Sequence, residues 1–213
     1  MIADPPLLVV TDRRQAARPL ADTLAAAFAA GCRWASLREK DLPAAEQLAL
    51  LRTLIPVARR WNARLTVHGD AALAAEAGAD GVHLAAGSDP LAARATLGTS
   101  ALIGLSIHSV AEARALDPAC VDYAVVGPAF ETASKPGYGP ALGVAGLHAM
   151  ARATRVPIVA IGGIDAARVG AVMAAGAAGI AVMGAVMRAA DPADTARGLL
   201  GALSEREAVQ RAR

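Results

Sequence analysis

The segment "PIVAIGGIDAARVGAVMAAGAAGIAVMGAV" (157–186) contains two consecutive strand-and-helix units. An apolar, β-branched run ends at Gly162-Gly163, and Asp165 can then cap an Ala-rich helix. A second apolar run, 179–182, follows and again ends near a glycine. Neither run alternates apolar with polar residues, which is typical of parallel strands that helices cover. The segment therefore predicts a βαβ arrangement.

The same unit recurs along the chain. The candidate strands are 7–11, 34–38, 63–68, 80–84, 102–106, 121–126, 157–161 and 179–182. The candidate helices are 20–31, 43–60, 71–78, 90–97, 109–116, 143–154, 165–176 and 191–203. Eight β/α units without a long linker favour a closed (β/α)8 barrel, the TIM-barrel fold of the α/β class, over a doubly wound open sheet. We expect a single domain over 1–213, with the barrel at 7–203 and a short C-terminal tail at 204–213.

Composition excludes several classes of function. Aromatic residues make up 3% of the chain and the net charge is +2, without a basic stripe, so we expect no nucleic-acid partner. The apolar runs are too short for a bilayer and no signal peptide opens the chain, so we expect a cytoplasmic protein with no membrane partner. Cys32 and Cys120 lack metal or redox spacing and are expected to be buried and reduced.

Two predicted loops carry the residues that suit an anionic substrate, and barrel active sites collect on the loops after the strands. The loop after the second strand has Arg38 and Lys40, a pair that suits a dianion or a pyrophosphate. The loop after the sixth strand has Thr132, Ser134 and Lys135 among glycines, which suits an anion site that closes over its substrate. Of the 21 basic residues only two are lysines, and both lie in these loops. A solvated loop charge is the alternative for the first loop, and a plain Gly/Pro connection for the second.

The last two strands end in the turns of a barrel phosphate site. Gly162 and Gly163 follow the seventh strand, and Met183, Gly184 and Ala185 follow the eighth and begin a short helix. Main-chain N–H groups at such turns bind phosphate oxygens. We therefore predict a substrate phosphate site at these five residues.

The four histidines fall into two groups. His68 and His108 follow the third and fifth strands and are candidates for general acid–base catalysis. His83 lies within a strand and is expected to be a packed residue with a hydrogen-bonded ring, and His148 lies in a helix as a structural residue.

Three carboxylates lie near predicted strand ends. Asp12, Asp70 and Asp89 could hold Mg²⁺, which prefers oxygen ligands. Capping of the following helix is the alternative for each of them.

The order of motifs "LREK … GVHL … IGLSIHS … DYAVVGPAFETASK … PIVAIGGI … GIAVM" resembles the thiamine phosphate synthase/TenI family, from about residue 7 to residue 203. The resemblance implies that hydroxymethylpyrimidine pyrophosphate is joined to a thiazole phosphate with Mg²⁺, releasing pyrophosphate. It places Arg38, Lys40, Thr132, Ser134 and Lys135 on the pyrophosphate side. It places Ser106 near the pyrimidine or the leaving group, and the turns after the last two strands at the thiazole phosphate.

The chain departs from the family pattern at identifiable positions. Ser36 stands where the synthases have a glutamine, and His68-Gly69 stands where they have an Asn-Asp pair, with Asp70 one place later. The synthase aspartate after the fourth strand is likewise displaced by one place, to Asp89. TenI-type tautomerases have a catalytic histidine where this chain has a proline after the sixth strand.

Three functions therefore stand open. The leading hypothesis is thiamine phosphate synthesis, which makes the protein a transferase acting on phosphorylated thiazole and pyrimidine pyrophosphate, with Mg²⁺ as its cofactor through Asp70 and Asp89. The second is a thiazole tautomerase, an isomerase that uses His68 or His108. The third is a non-catalytic binder of thiazole phosphate. A homo-oligomer is compatible with all three.

Overall fold

The computed structural model describes residues 2–132 and 140–211, the last six of these for backbone only. Within these ranges the chain forms eight strands: β1 Leu7–Val10, β2 Trp34–Leu37, β3 Arg64–His68, β4 Gly81–Leu84, β5 Leu102–Ile107, β6 Tyr123–Val126, β7 Ile158–Ile161 and β8 Gly179–Val182. The helices of the same ranges are α1 Leu20–Ala29, α2 Ala44–Arg60, α3 Ala71–Ala77, α4 Pro90–Leu97, α5 Val110–Arg114, α6 Gly143–Arg152, α7 Ala166–Ala174, α8 Gly184–Met187 and α9 Pro192–Arg211.

The strands form a closed parallel barrel in chain order, with β8 paired to β1. This confirms the predicted (β/α)8 barrel. The register sets Val10 beside Ser36, and His68 beside His83. Because all strands are parallel, their C-terminal ends meet at one face of the barrel.

Two apolar clusters account for the barrel's stability. The larger cluster joins strand residues such as Leu7 and Val9 to residues of the helices, including Leu24 and Phe28 of α1. The smaller cluster lies inside the barrel and consists of strand residues apart from Ala3 near the N-terminus. At its centre the rings of Trp34 and Tyr123 meet edge to face, with centroids 4.6 Å apart. Both rings are fully buried, so the lower part of the barrel is filled with side chains.

The ends of the helices follow the signals in the sequence. Gly78 ends α3 in the left-handed conformation, with φ +67°, which glycine adopts without strain. The Asp165 carboxylate accepts a hydrogen bond from the Arg168 N–H at the start of α7. Asp191 accepts from the N–H groups of Ala193 and Asp194 at the start of α9.

The last helix is longer than the sequence pattern predicts. We expected it over 191–203 with a tail beyond, whereas α9 continues to Arg211. The pattern stops at Leu203, the last buried apolar residue among the side chains that the structure describes, but the polar residues that follow include good helix formers. None of the helices in the described part of the chain is both long and apolar enough to cross a membrane.

The centre of the barrel tolerates no added carbon at Gly104. A Cβ built there lies 2.1 Å from Cζ of Tyr123 and 2.5 Å from Nδ1 of His83, and both rings are buried. We expect Gly104→Ala to lower the free energy of unfolding by about 1–3 kcal/mol through overpacking. Urea denaturation of the variant and the wild type measures this difference.

Gly198→Ala is the matched control. Gly198 is exposed in α9 with open space at its Cβ, so we expect no loss and up to about 1 kcal/mol of gain from helix propensity. A Gly104→Ala protein as stable as the wild type would contradict the described packing.

Candidate active site

A cavity of about 590 Å³ opens at the C-terminal ends of the strands. Most of its lining residues end a strand or lie in the loop that follows one. Among the described residues, those that line it and carry a formal charge are the basic Arg38, Lys40, Arg168 and Arg188 and the acidic Glu131 and Asp165. The excess of basic groups favours an anionic ligand.

Arg38 and Lys40 occupy the edge of this cavity that follows β2. The Arg38 N–H donates to the Thr11 hydroxyl at 2.9 Å, which fixes the loop against β1. Partial burial, together with the charge of Arg38, lowers the pKa of the Lys40 ammonium. The two cations therefore lie close enough to repel each other, and an anionic ligand between them would relieve this repulsion.

Glu39, between these two cations, is a residue that sequence reasoning missed. It is 2% exposed, and its carboxylate accepts from the Thr11 hydroxyl at 2.7 Å and from the Arg13 N–H at 3.0 Å. The Arg13 guanidinium also donates to Glu39, at 3.1 Å, and makes two bonds of 2.8 Å to Asp41. The acidic members of "REKD" thus bind the loop after β1, while the basic members line the cavity.

A neutral histidine lies at the floor of the cavity. His83 Nε2 is 2.9 Å from the Ser106 hydroxyl, and Nδ1 is 3.3 Å from the Tyr123 hydroxyl. Burial, and then the charges of Lys40 and Arg38, lower the pKa of His83 to about 3. The expected packed, hydrogen-bonded His83 is confirmed, and it holds the predicted site residue Ser106 at the cavity.

The two histidines proposed as acid–base groups both line the cavity. The ring of His68 packs against that of His83, with centroids 4.5 Å apart. The backbone N–H of His108 donates to the Glu112 carboxylate at 2.8 Å, which anchors the start of α5. His148, by contrast, is exposed on α6.

The glycine turns after β7 and β8 line the same cavity as Lys40, as predicted. At Gly163, with φ +62°, an added Cβ would lie 2.4 Å from the Glu131 carbonyl oxygen. The N–H of Phe130 donates to the Gly162 carbonyl at 3.0 Å, so the turn after β7 is bonded to the segment after β6. Glycine is required here because the two backbones are too close for a side chain.

Met183, Gly184 and Ala185 complete this side of the cavity, where α8 begins. Gly184 leaves the room that the Arg188 guanidinium occupies, since an added Cβ would lie 2.3 Å from its Nη1. Arg188 in turn donates to the Gln15 side chain from the loop after β1.

Arg168 is another cavity residue that the sequence analysis did not select. It lies over the Phe130 ring, 4.9 Å from the centroid, and donates to the Gly163 carbonyl. Its position in a predicted helix is typical of a surface residue. Only the closure of the barrel places Arg168 at the mouth of the cavity.

The remaining predicted residues divide between the cavity and positions outside it. Thr132 lines the cavity, whereas Ser134 and Lys135 lie outside the described residues. Asp70 and Asp89 do not line the cavity. Asp70 accepts from the Ala72 N–H at 2.7 Å and Asp89 from the Leu91 N–H at 2.8 Å, so both cap the next helix, as in the alternative interpretation.

These residues do not fit a magnesium site. Of the three candidate carboxylates, Asp70 and Asp89 are exposed and engaged as caps. Asp12 does not line the cavity and accepts from the Arg14 N–H at 3.1 Å and from the Gln15 side chain. The buried Glu39 is bonded to Thr11 and Arg13. In the ranges 2–132 and 140–205, for which side chains are described, no three His, Cys, Asp or Glu residues converge as metal ligands would. Mg²⁺ in proteins is usually held by one or two carboxylates together with substrate phosphates, and neither Asp70 nor Asp89 lines the cavity where such a phosphate would bind.

The buried Glu39 carboxylate gives a stability prediction. Glu39→Gln keeps the shape of the side chain but removes the charge that binds Thr11 and Arg13, so we expect a loss of about 1–3 kcal/mol in the free energy of unfolding. Asp41→Asn is the control. Asp41 binds the same arginine but is exposed, so water screens the ion pair and the loss of unfolding free energy should be smaller. Equal losses in the two variants would contradict the assigned role of burial.

The depressed pKa of His83 gives a pH prediction. The unfolded chain protonates this ring near pH 6.5, whereas the folded chain does so only near pH 3. The contribution of neutral His83 to the free energy of unfolding is therefore fully present above pH 6.5. It falls by up to about 1.4 kcal/mol for each pH unit as the pH is lowered toward 3. NMR of the His83 ring should show no protonation between pH 8 and 4. A midpoint above pH 5 would contradict the described burial.

Comparison with known proteins agrees with the fold and identifies the family. A family profile described as thiamine monophosphate synthase matches residues 7–186. The thiamine-phosphate synthase of Moorella thermoacetica is 39% identical over 209 residues, covering 97% of this chain and 96% of the relative. That of Roseiflexus sp. RS-1 is 38% identical over 195 residues, covering 90% and 82%.

Solved structures lead to the same family. The thiamine phosphate pyrophosphorylase from Pyrococcus furiosus superimposes with a TM-score of 0.83 at 29% identity, covering 94% of this chain and 96% of that one. A 3-hexulose-6-phosphate synthase, at 24% identity and a TM-score of 0.68, covers 92% and 99% and shares the fold. The chain belongs to the thiamine monophosphate synthase family.

Proposed function

We propose that this protein is a thiamine-phosphate synthase, which joins hydroxymethylpyrimidine pyrophosphate to thiazole phosphate and releases pyrophosphate. One observation carries the proposal. Arg38 and Lys40 line the same cavity as the glycine turns at Gly163 and Gly184, so one pocket has two separate groups suited to phosphate. The names of the family and of its relatives support this assignment.

The cationic edge receives the pyrophosphate of the pyrimidine substrate. A guanidinium binds phosphate oxygens through two parallel hydrogen bonds, and the Lys40 ammonium adds a compact charge. Thr132 lines the cavity and adds a hydroxyl donor. By resemblance, Ser134 and Lys135 belong to the same group.

The glycine turns receive the monophosphate of the thiazole. Backbone N–H groups of Gly163, Gly184 and Ala185 are the proposed donors, since α8 starts directly after β8. The nearby guanidinium groups of Arg168 and Arg188 add positive charge at this end of the cavity.

The reaction breaks the bond between the pyrimidine methylene carbon and the pyrophosphate oxygen, and the electron pair leaves with the pyrophosphate. The thiazole nitrogen then donates its lone pair to that carbon, which forms the C–N bond of thiamine phosphate. Arg38 and Lys40 lower the barrier by stabilising the charge that develops on the leaving group. The two phosphate sites hold the reacting atoms together, which removes the entropy cost of their encounter. His83 keeps Ser106 oriented without adding a positive charge beside the developing cation.

The test is formation of thiamine phosphate from the two substrates, assayed by chromatography. Arg38→Gln removes one donor to the leaving group, so we expect kcat to fall by about 10²–10³. Arg60→Gln is the control, since Arg60 is exposed in α2 and does not line the cavity, and its kcat should equal that of the wild type. No thiamine phosphate at any metal concentration would overturn the proposal.

The two alternative functions would give different results in assays of the same purified protein. A thiazole tautomerase would act on thiazole carboxylate phosphate without the pyrimidine, and His68→Ala or His108→Ala would abolish that activity. A non-catalytic binder would bind thiazole phosphate in a calorimeter and convert neither substrate.

A further inference from the structure

The strand ends beside the cationic edge carry no carboxylate directed at the cavity. His68, Ala85 and Ala86, which follow or end β3 and β4, line the cavity. Gly69 has no side chain, and its N–H donates to the His83 carbonyl at 2.9 Å. The next carboxylates along the chain, Asp70 and Asp89, are bound to the first turns of α3 and α4.

The other acidic groups near the cavity are also engaged or belong to different loops. Asp12, after β1, accepts from the Arg14 N–H at 3.1 Å and from the Gln15 side chain. Glu39 and Asp41 bind Arg13. Asp165 caps α7 and lies 3.9 Å from Nε of Arg168. Glu131 lines the cavity after β6, and the seven residues 133–139, "ASKPGYG", contain no acidic residue, histidine or cysteine.

The positive charges of Arg38 and Lys40 are therefore not neutralised by these carboxylates and remain available to a ligand in the cavity. Within the described residues no ion pair includes either of them, because the adjacent acids Glu39 and Asp41 pair with Arg13. The local charge matches a bare polyphosphate, whereas a metal-complexed one would bring an additional cation to an edge that is already cationic.

We propose that this chain binds pyrophosphate without a divalent metal ion, with the guanidinium of Arg38 and the ammonium of Lys40 supplying the positive charge that Mg²⁺ would otherwise supply. The choice of pyrophosphate as the ligand rests on the proposed function. Magnesium then competes with the protein, because it neutralises the charge that the two side chains recognise.

Titration calorimetry with inorganic pyrophosphate on the full chain tests this, once in EDTA and once in excess MgCl₂. We expect binding in EDTA at least as tight as in MgCl₂. Arg38→Gln and Lys40→Gln should each weaken binding in EDTA about tenfold or more, whereas the control Arg60→Gln should leave it unchanged. Binding that appears only with Mg²⁺, or that is tenfold tighter with it, would overturn the inference.

Electron paramagnetic resonance with Mn²⁺ in place of Mg²⁺ gives a second readout. We expect no protein-bound Mn²⁺ signal, and a rise in the signal of free Mn²⁺ as the protein takes pyrophosphate from its metal complex. A new protein-bound Mn²⁺ signal would show that the chain supplies metal ligands and would overturn the inference.

The synthase assay separates this inference from the proposed function. Thiamine phosphate formed with Mg²⁺ but not in EDTA, together with Mg²⁺-dependent pyrophosphate binding, keeps the function and overturns the inference. Pyrophosphate binding in EDTA without any thiamine phosphate formation supports the metal-free anion site and overturns the synthase assignment.

Discussion

The buried carboxylate of Glu39 organises the cationic edge of the cavity. Placing a charge inside a protein is unfavourable unless hydrogen bonds and an opposite charge compensate for it. Here Thr11 and Arg13, both from the segment after β1, supply that compensation. Arg38 and Lys40, on either side of Glu39, line the cavity instead.

Closure of the barrel provides the second constraint. Parallel strands bring all their C-terminal ends to one face, so loops distant in the sequence share one space. The close approach at Gly163, where the Glu131 carbonyl leaves no room for a Cβ, joins the loops after β6 and β7. Below them the ring of His83 holds the Ser106 hydroxyl at the floor. The cavity is therefore built mainly from backbone contacts and a few fixed rings, and its positive charge comes from arginine and lysine side chains.

The fold and the glycine turns after β7 and β8 could be predicted from the sequence because each depends on local signals. These signals are apolar runs, glycines at helix ends and a pair of glycines after a strand. Each of them determines the structure of only the few residues around it. Glu39 could not be found in this way. An acidic residue between two basic ones is typical of a solvated loop, and its partners lie 26 and 28 residues away in the sequence. The roles of Asp70 and Asp89 were undecided for a related reason. Capping and metal binding use the same carboxylate at the same place in a loop, and only the direction of the side chain separates them.

The central claim is that one cavity holds pyrophosphate at the cationic edge and the monophosphate at the glycine turns. A crystal structure with thiamine phosphate and pyrophosphate tests this most directly. We predict pyrophosphate oxygens within about 3 Å of the Arg38 guanidinium and the Lys40 ammonium, and the monophosphate at similar distances from the N–H groups of Gly163 and Gly184. Either group bound away from these residues, or both products excluded from the cavity, would contradict the account.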